Sequence, residues 1–105
     1  MIKLSVMYPA TPGSRFNWDY YLGKHLELSR SLLSPRGLLR LEIDKGVGGF
    51  PPGAPPVYHA IGHLYFRTRA EMESALADTA AQFIADEPNY TDSQTVVQIS
   101  ELVDV

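Results

Sequence analysis

The stretch from residue 57 to residue 83 reads VYHAIGHLYFRTRAEMESALADTAAQF and joins two predicted elements. Residues 57–67 predict a β-strand, because they are rich in aromatic and aliphatic side chains and contain no proline. Alternate side chains of a strand point to opposite faces of the sheet. One face of this strand would carry His59, Ile61, His63 and Tyr65, and the other Tyr58, Ala60, Gly62, Leu64 and Phe66.

A helix is predicted directly after this strand. Residues 68–71, TRAE, match a capping box, in which Thr68 accepts from the amide of Glu71 and the Glu71 side chain reaches back. Pro88 ends the helix, and Tyr90 and Asp92 are expected to shape the turn that follows. The expected inward side of the helix is formed by Met72, Ala75, Leu76, Ala80 and Phe83.

The first part of the chain shows the same strand-then-helix order. Residues 2–8 alternate between apolar and mixed side chains, which predicts a strand. Asn17 is the expected N-cap of a helix that runs to about Leu33 and stops before Pro35. A second strand is predicted for residues 37–46.

The complete order of elements predicts the fold class. Residues 46–56 hold four glycines and four prolines and are expected to form a loop, whereas residues 94–102 predict a last strand. The resulting order, β-α-β-β-α-β, predicts a single α+β domain over residues 1–105 with a ferredoxin-like, four-stranded antiparallel sheet. Both helices would cover one face of the sheet. We expect the bare face to pair with a second copy, giving a homodimer.

Composition excludes several classes of function. The net charge is −3, from 9 basic and 12 acidic residues, and no basic cluster suited to nucleic acid is present. There is no cysteine, which excludes disulfides, thiolate nucleophiles and zinc sites that use cysteine. No stretch approaches the roughly 20 apolar residues of a membrane span, so we expect a cytoplasmic protein without a membrane partner.

His25 is the main candidate for a catalytic residue. A helical wheel of residues 18–33 places it near the centre of an apolar half, with Tyr21 one turn before it. A histidine in this position either hydrogen-bonds a carbonyl or tyrosine and fills space, or faces a small-molecule pocket as a proton donor or acceptor. The predicted apolar half contains Trp18, Tyr21, Leu22, His25, Leu26, Leu28, Ser29, Leu32 and Leu33.

A second group of polar residues is expected on the bare face of the sheet. His63 lies near the middle of its strand and His59 nearer the end. A cavity with apolar walls and a few converging polar groups is the usual form of a small-molecule site. The alternative is that these polar groups only hydrogen-bond across a dimer interface. The predicted ligand-binding residues are Tyr21, Met7, Ser5, His59, Ile61, Gln98 and Ser100.

No metal or cofactor site is predicted. His59 and His63 are four residues apart on a strand, so their Cα atoms would lie roughly 13 Å apart and could not share one ion. The glycines of GVGGF (46–50) are not followed by Lys and Ser or Thr, so they do not match a phosphate-binding loop. This loop either covers the cavity mouth or only connects two strands.

Three segments together resemble the EthD family, which is named from a bacterial gene cluster for ethyl tert-butyl ether degradation. They are MIKLSVMYPATPGSRFNWDYYLGKH (1–25), GAPPVYHAIGHLYF (53–66) and DEPNYTDSQTVVQISE (86–101). The resemblance implies a dimeric α+β barrel. In the related methylmuconolactone isomerases, a helix-1 histidine and a third-strand cysteine line the pocket, and His25 and His63 stand at the matching positions. Because the cysteine is absent, the chemistry would differ.

These observations lead to three hypotheses about function. The first is a catabolic, cofactor-independent enzyme that transfers a proton on a small apolar or aromatic oxygenated metabolite. His25 would be its general acid or base, and His63 its partner or the group that polarises a carbonyl. The second is a non-catalytic dimer that binds such a metabolite or assists an ether- or aromatic-degrading oxygenase system. The third is a cofactor-free monooxygenase.

Overall fold

The computed structural model describes residues 1–105 and contains four strands and two helices. The strands are β1 (Ile2–Pro9), β2 (Arg40–Lys45), β3 (Tyr58–Phe66) and β4 (Val96–Glu101). Their order in the sheet is β2-β3-β1-β4, and every neighbouring pair is antiparallel. The helical segments are α1, running from Trp18 to Leu33, and α2 (Arg69–Asp86). The predicted ferredoxin-like α+β class is confirmed.

Local sequence signals begin and end the helices as expected. The Asn17 side chain accepts a hydrogen bond from the amide of Tyr20 at 3.1 Å, and Thr68 accepts one from Glu71 at 3.2 Å. The Glu71 side chain makes no return bond, so only half of the predicted capping box forms. After α1, a 3₁₀ turn (Ser34–Arg36) leads to Gly37, whose φ of 101° favours glycine.

The two helices pack against one face of the sheet, which we call the helix face. Its most tightly packed part lies where α1 ends and α2 begins, and Leu33 and Met72 are fully buried there. Met72 and Ala75, two of the predicted inward residues of α2, belong to this buried core. The opposite face, called the open face, carries no other element of the chain. The main core cluster consists of Leu4, Leu33, Leu64, Phe66, Met72 and Ala75.

Helix α1 is interrupted by one π-helical turn. It is α-helical over Trp18–Tyr20, π-helical over Tyr21–His25 and α-helical again over Leu26–Leu33. A π turn contains more residues than an α turn, so it changes which side chains face inward. Leu22, expected in the buried half, is therefore 50% exposed.

Strand β3 is also irregular at its first residues. Tyr8 pairs with Ala60 and Pro9 pairs with Tyr58, so His59 is an extra residue opposite β1. Such a bulge disturbs the alternation of side chains. The expectation that His59 shares the open face with His63 is wrong for this reason: its ring stacks on Phe16, at 5.6 Å between centroids, beside the aromatic cluster on the helix face.

No helix of the chain is both long enough and apolar enough to cross a membrane.

The packing of α1 gives a first prediction. Leu33→Ala should lower the free energy of unfolding by about 2–5 kcal/mol, because it leaves a cavity at a fully buried position. Leu22→Ala, in the same helix but half exposed, should change it by less than about 0.5 kcal/mol. Chemical denaturation followed by circular dichroism measures both. If both variants lost the same free energy of unfolding, the assignment of Leu33 to the buried side and Leu22 to the exposed side of α1 would be contradicted.

Candidate active site

A cavity of about 260 Å³ lies between the two helices and the helix face of the sheet. Thirteen of its 18 lining residues are hydrophobic, so the cavity suits an apolar molecule. Polar atoms reach it mainly at one place, where α1 and the segment after α2 come together. Its apolar walls include Leu4, Val6, Leu26, Leu41, Leu64, Leu76, Ala80, Phe83, Ile84 and Val97.

The cavity exists because α2 is tightly packed along only part of its length. Met72 and Ala75 are buried, whereas Leu76 and Phe83, further along the same helix, are only partly buried and line the cavity. Opposite the helix, Gly62 leaves space beside the hydroxyl of Tyr21. A Cβ atom at position 62 would lie 2.9 Å from that oxygen, so a larger residue would displace Tyr21.

His25 in the π turn is bonded to the end of α2. Its Nδ1 lies 2.9 Å from Oδ2 of Asp86, and the residue is 7% exposed. The other carboxylate oxygen of Asp86 accepts from the Tyr20 hydroxyl at 2.5 Å and from Asn89 at 3.1 Å. Three donors therefore converge on one carboxylate, which orients the imidazole from outside the cavity.

The charge of Asp86 determines the tautomer of His25. Burial raises the pKa of Asp86, but the hydrogen bonds from Tyr20, His25 and Asn89 outweigh burial and hold this pKa below its ordinary value. The carboxylate is thus ionised at neutral pH and can only accept. We assign the proton of the neutral imidazole to Nδ1 on this basis, which leaves a lone pair on Nε2.

Two tyrosines contact the ring of His25, and a third is bonded to one of them. The hydroxyl of Tyr90 lies 3.4 Å from Nε2 and 2.9 Å from the hydroxyl of Tyr8, and Tyr21 stacks on the imidazole at 5.4 Å between centroids. Burial raises the pKa values of Tyr8, Tyr21 and Tyr90 far above that of an ordinary phenol. All three phenols keep their protons at neutral pH. We call the group of Tyr8, His25, Asp86 and Tyr90 the polar corner.

The structure does not bring His25 and His63 together. Gly62 lines the cavity, and the next residue, His63, points to the open face because side chains alternate along β3. His63 instead bonds Ser5 at 3.0 Å and Asp44 at 2.8 Å. The expected role of His63 as partner of His25 is therefore corrected: Asp86 contacts His25 in that place.

The other predicted ligand-binding residues are divided between two sides of the sheet. Tyr21 lines the cavity. Met7 and Ile61 are paired across β1 and β3 on the open face, where Gln98 donates to Ser100 at 3.1 Å. None of the residues on the open face lines the cavity. The roles of these open-face residues in ligand binding remain predictions. A ligand bound there would be on the opposite side of the sheet from His25.

Sequence reasoning missed three members of the polar corner. Tyr8 was counted only as the end of a strand, Asp86 as part of a helix end, and Tyr90 as part of a turn. Asp86 is 61 residues from His25, so spacing along the chain gives no signal for their contact. The one available signal was the segment DEPNYTD (86–92), which contributed to the family resemblance without indicating any role.

Nowhere in the chain do three His, Asp or Glu side chains come together as a metal site would require.

Comparison with known proteins defines the class of this ferredoxin-like α+β protein. The sequence matches the family model for the EthD domain over residues 14–94. The chain therefore belongs to the EthD family. No curated protein sequence matches it.

Solved structures agree with this assignment. An EthD-like protein from Ralstonia eutropha JMP134 has a TM-score of 0.90 at 34% identity, with 98% of this chain and 92% of that chain covered. An EthD family protein from Bacillus halodurans C-125 has a TM-score of 0.68 at 14% identity, with 98% and 99% covered. An antibiotic biosynthesis monooxygenase has a TM-score of 0.52 at 15% identity, with 99% and 100% covered. The last two similarities show a shared fold.

The lowered pKa of Asp86 predicts how stability depends on pH. The unfolded chain, where this carboxyl has a pKa of about 3.9, binds its proton more readily than the folded protein. The stabilisation is thus complete above about pH 4 and is lost as the pH falls through the lowered folded-state pKa. Asp86→Asn should be less stable than the wild type at pH 7, and the difference should shrink below about pH 4.

Urea denaturation at a series of pH values measures this difference. Asp104→Asn, which changes an exposed carboxylate near the C-terminus, serves as the control and should track the wild type at every pH. A difference between wild type and Asp86→Asn that stays constant from pH 7 to pH 2 would contradict the described network.

Proposed function

We propose that this EthD family protein is a cofactor-independent enzyme that transfers a proton on a small apolar or aromatic oxygenated metabolite. The observation that carries this proposal is the His25–Asp86 pair at the wall of an apolar cavity. Asp86 holds the Nδ1 proton and leaves Nε2 free to accept another. A histidine oriented by a buried carboxylate in this way is a common general base.

The surroundings of His25 support a change of charge during the reaction. When Nε2 takes a proton, the imidazole becomes a cation, and the ionised Asp86 at 2.9 Å stabilises that charge. The side chain of Asp86 is only 14% exposed, so water screens the interaction weakly. The protein therefore compensates for a charged histidine inside a largely apolar site.

The second candidate function is a non-catalytic protein that binds such a metabolite or assists an oxygenase system. The preponderance of apolar residues in the cavity wall favours binding by itself, without any need for proton transfer. The two candidates differ in what they require of His25. A binding protein needs only the shape of the cavity, whereas an enzyme needs the lone pair on Nε2.

Deuterium exchange from solvent distinguishes the two candidates. The wild-type protein is incubated in D₂O with a panel of small lactones, ketones, phenols and ethers, and mass spectrometry measures incorporation into carbon positions. We expect incorporation into at least one compound. His25→Gln should reduce its rate at least about 100-fold while binding is retained, because the general base is lost. Asp86→Asn should also reduce the exchange rate, because without the carboxylate the proton of the neutral His25 can move from Nδ1 to Nε2.

His63→Gln is the matched control for this experiment. It removes the histidine on the open face and should leave the exchange rate within about twofold of the wild type, because His63 bonds Ser5 and Asp44 and does not line the cavity. Saturable binding with no exchange in any compound would reject the enzyme in favour of the binding protein.

We also propose that two copies pair through their open faces. The polar groups of this face are largely bonded within it: Tyr65 donates to Glu42 at 2.7 Å, and His63 bonds both Ser5 and Asp44. A second layer could cover these groups without leaving them unpaired. Ile61 and Met7 supply apolar surface at the centre of the face.

This pairing predicts the effect of a charge at the centre of the open face. Ile61→Lys should convert a dimer into a monomer, because the interface would bury an unpaired charge. Sedimentation velocity measures the mass of the particle. Leu22→Lys places the same charge on the exposed side of α1 and should leave the dimer intact. A wild-type protein that sediments with the mass of one chain would contradict the proposal.

A further inference from the structure

The polar corner forms one chain of hydrogen bonds whose directions can be assigned. In the neutral form of His25, Nδ1 donates to Asp86, so Nε2 has no proton and must accept. Its one partner is the hydroxyl of Tyr90, which therefore donates to it. The hydroxyl of Tyr8, 2.9 Å from that of Tyr90, then donates to Tyr90. Every donor in the chain points towards Asp86.

One bond of this chain is much longer than the others. The Tyr90–His25 distance is 3.4 Å, whereas the two flanking bonds are both 2.9 Å long. Hydrogen bonds weaken towards the long end of their range. A ligand that gave a proton to Nε2 and accepted one from Tyr90 would replace this weak bond with two stronger ones.

Two other hydroxyl groups of the cavity wall already donate elsewhere. Ser29 donates its hydroxyl proton to the carbonyl of His25, and Thr95 donates to Glu87. Tyr90 is the cavity hydroxyl within bonding distance of His25, so an apolar ligand that reaches Nε2 would place its oxygen at Tyr90. The same position brings an adjacent carbon of the ligand towards Nε2 of His25.

We infer that the ligand class is the small, uncharged, enolisable carbonyl compound, with its oxygen held by Tyr90 and its acidic carbon facing His25. This inference rests on the proposed function and names its substrate class. A C–H bond next to the carbonyl breaks, and its proton moves to Nε2. The electron pair of that bond forms a C=C bond, and the carbonyl oxygen becomes an enolate oxygen. Where a C=C bond of the ligand is conjugated with the enolate, Nε2 returns the proton to the far carbon of that bond, the double bonds shift and the carbonyl re-forms, so the isomerisation needs no other reactant.

Tyr90 is suited to hold the enolate oxygen. It is 1% exposed, and its raised pKa keeps the phenol protonated, so it acts as a donor rather than a base. Tyr8 donates to the Tyr90 oxygen and thereby strengthens the donation from Tyr90 to the ligand. A preorganised donor in a site with little water stabilises a developing negative charge far better than water does.

The probe for this inference is 4-nitrophenol, because its anion is planar like an enolate and absorbs at longer wavelength than the neutral phenol. The wild-type protein should bind it as the phenolate, with the proton on His25, even at a pH below the pKa of the free probe. Tyr90→Phe should weaken binding of the phenolate at least about 10-fold, in line with the loss of one donor to an oxyanion. 4-Nitrotoluene, which has no hydroxyl, should bind both proteins equally.

A second variant and a matched control complete the experiment. His25→Gln cannot take the proton, so it should still bind 4-nitrophenol but without the phenolate absorption, and this result does not depend on the folding of Tyr90→Phe. Tyr58→Phe changes a tyrosine of β3 that does not line the cavity and should behave as the wild type.

The outcomes separate this inference from the proposed function. Equal affinity for 4-nitrophenol and 4-nitrotoluene, with the phenol bound in its neutral form, would overturn the enolate inference and leave a cavity that binds small aromatic molecules. Failure of the wild-type protein to bind either compound would overturn both the enolate inference and the proposed function.

Discussion

The contact between His25 and Asp86 connects the fold to the candidate chemistry. It joins the π turn of α1 to the last residue of α2, next to the bond from Tyr20 to the same carboxylate. A hydrogen bond to a charged group contributes about 1.5–3 kcal/mol, and removing one partner leaves a poorly solvated charge. The same contact fixes the tautomer of His25. One interaction therefore stabilises the end of α2 and prepares Nε2 to accept a proton.

The cavity lies in the same layer as the main core, at the end of α2 where Asp86 contacts His25. Leu33, Met72 and Phe66 fill the space at one end of the helix layer completely. At the other end, Asp86 contacts α1 through its carboxylate, and Leu76 and Phe83 are only partly buried, so a cavity remains between α2 and the sheet. π turns are frequent at functional sites, and the one in α1 contains both Tyr21 and His25.

Features that depend on neighbouring residues, such as helix caps, could be predicted from the sequence. Features that depend on contacts between distant residues could not. Asn17 and Thr68 cap their helices, because capping depends on neighbouring residues. The wheel of α1 assumed one uniform helix and thus misplaced Leu22. The bulge at His59 depends on the pairing between β1 and β3, which no pattern within β3 reveals. The Asp86 contact depends on how the two helices are arranged, which periodicity does not specify.

The sheet separates two histidine–aspartate pairs with different surroundings. His25 and Asp86 are both largely buried, with side chains 9% and 14% exposed. In the single chain, His63 is 14% exposed, but its partner Asp44 is 62% exposed and can be solvated by water. Because the attraction between charges grows as water is excluded, Asp86 supports a cationic histidine more strongly than Asp44 does. Of the two pairs, only the buried one also faces an apolar cavity, which is where a general base is most useful.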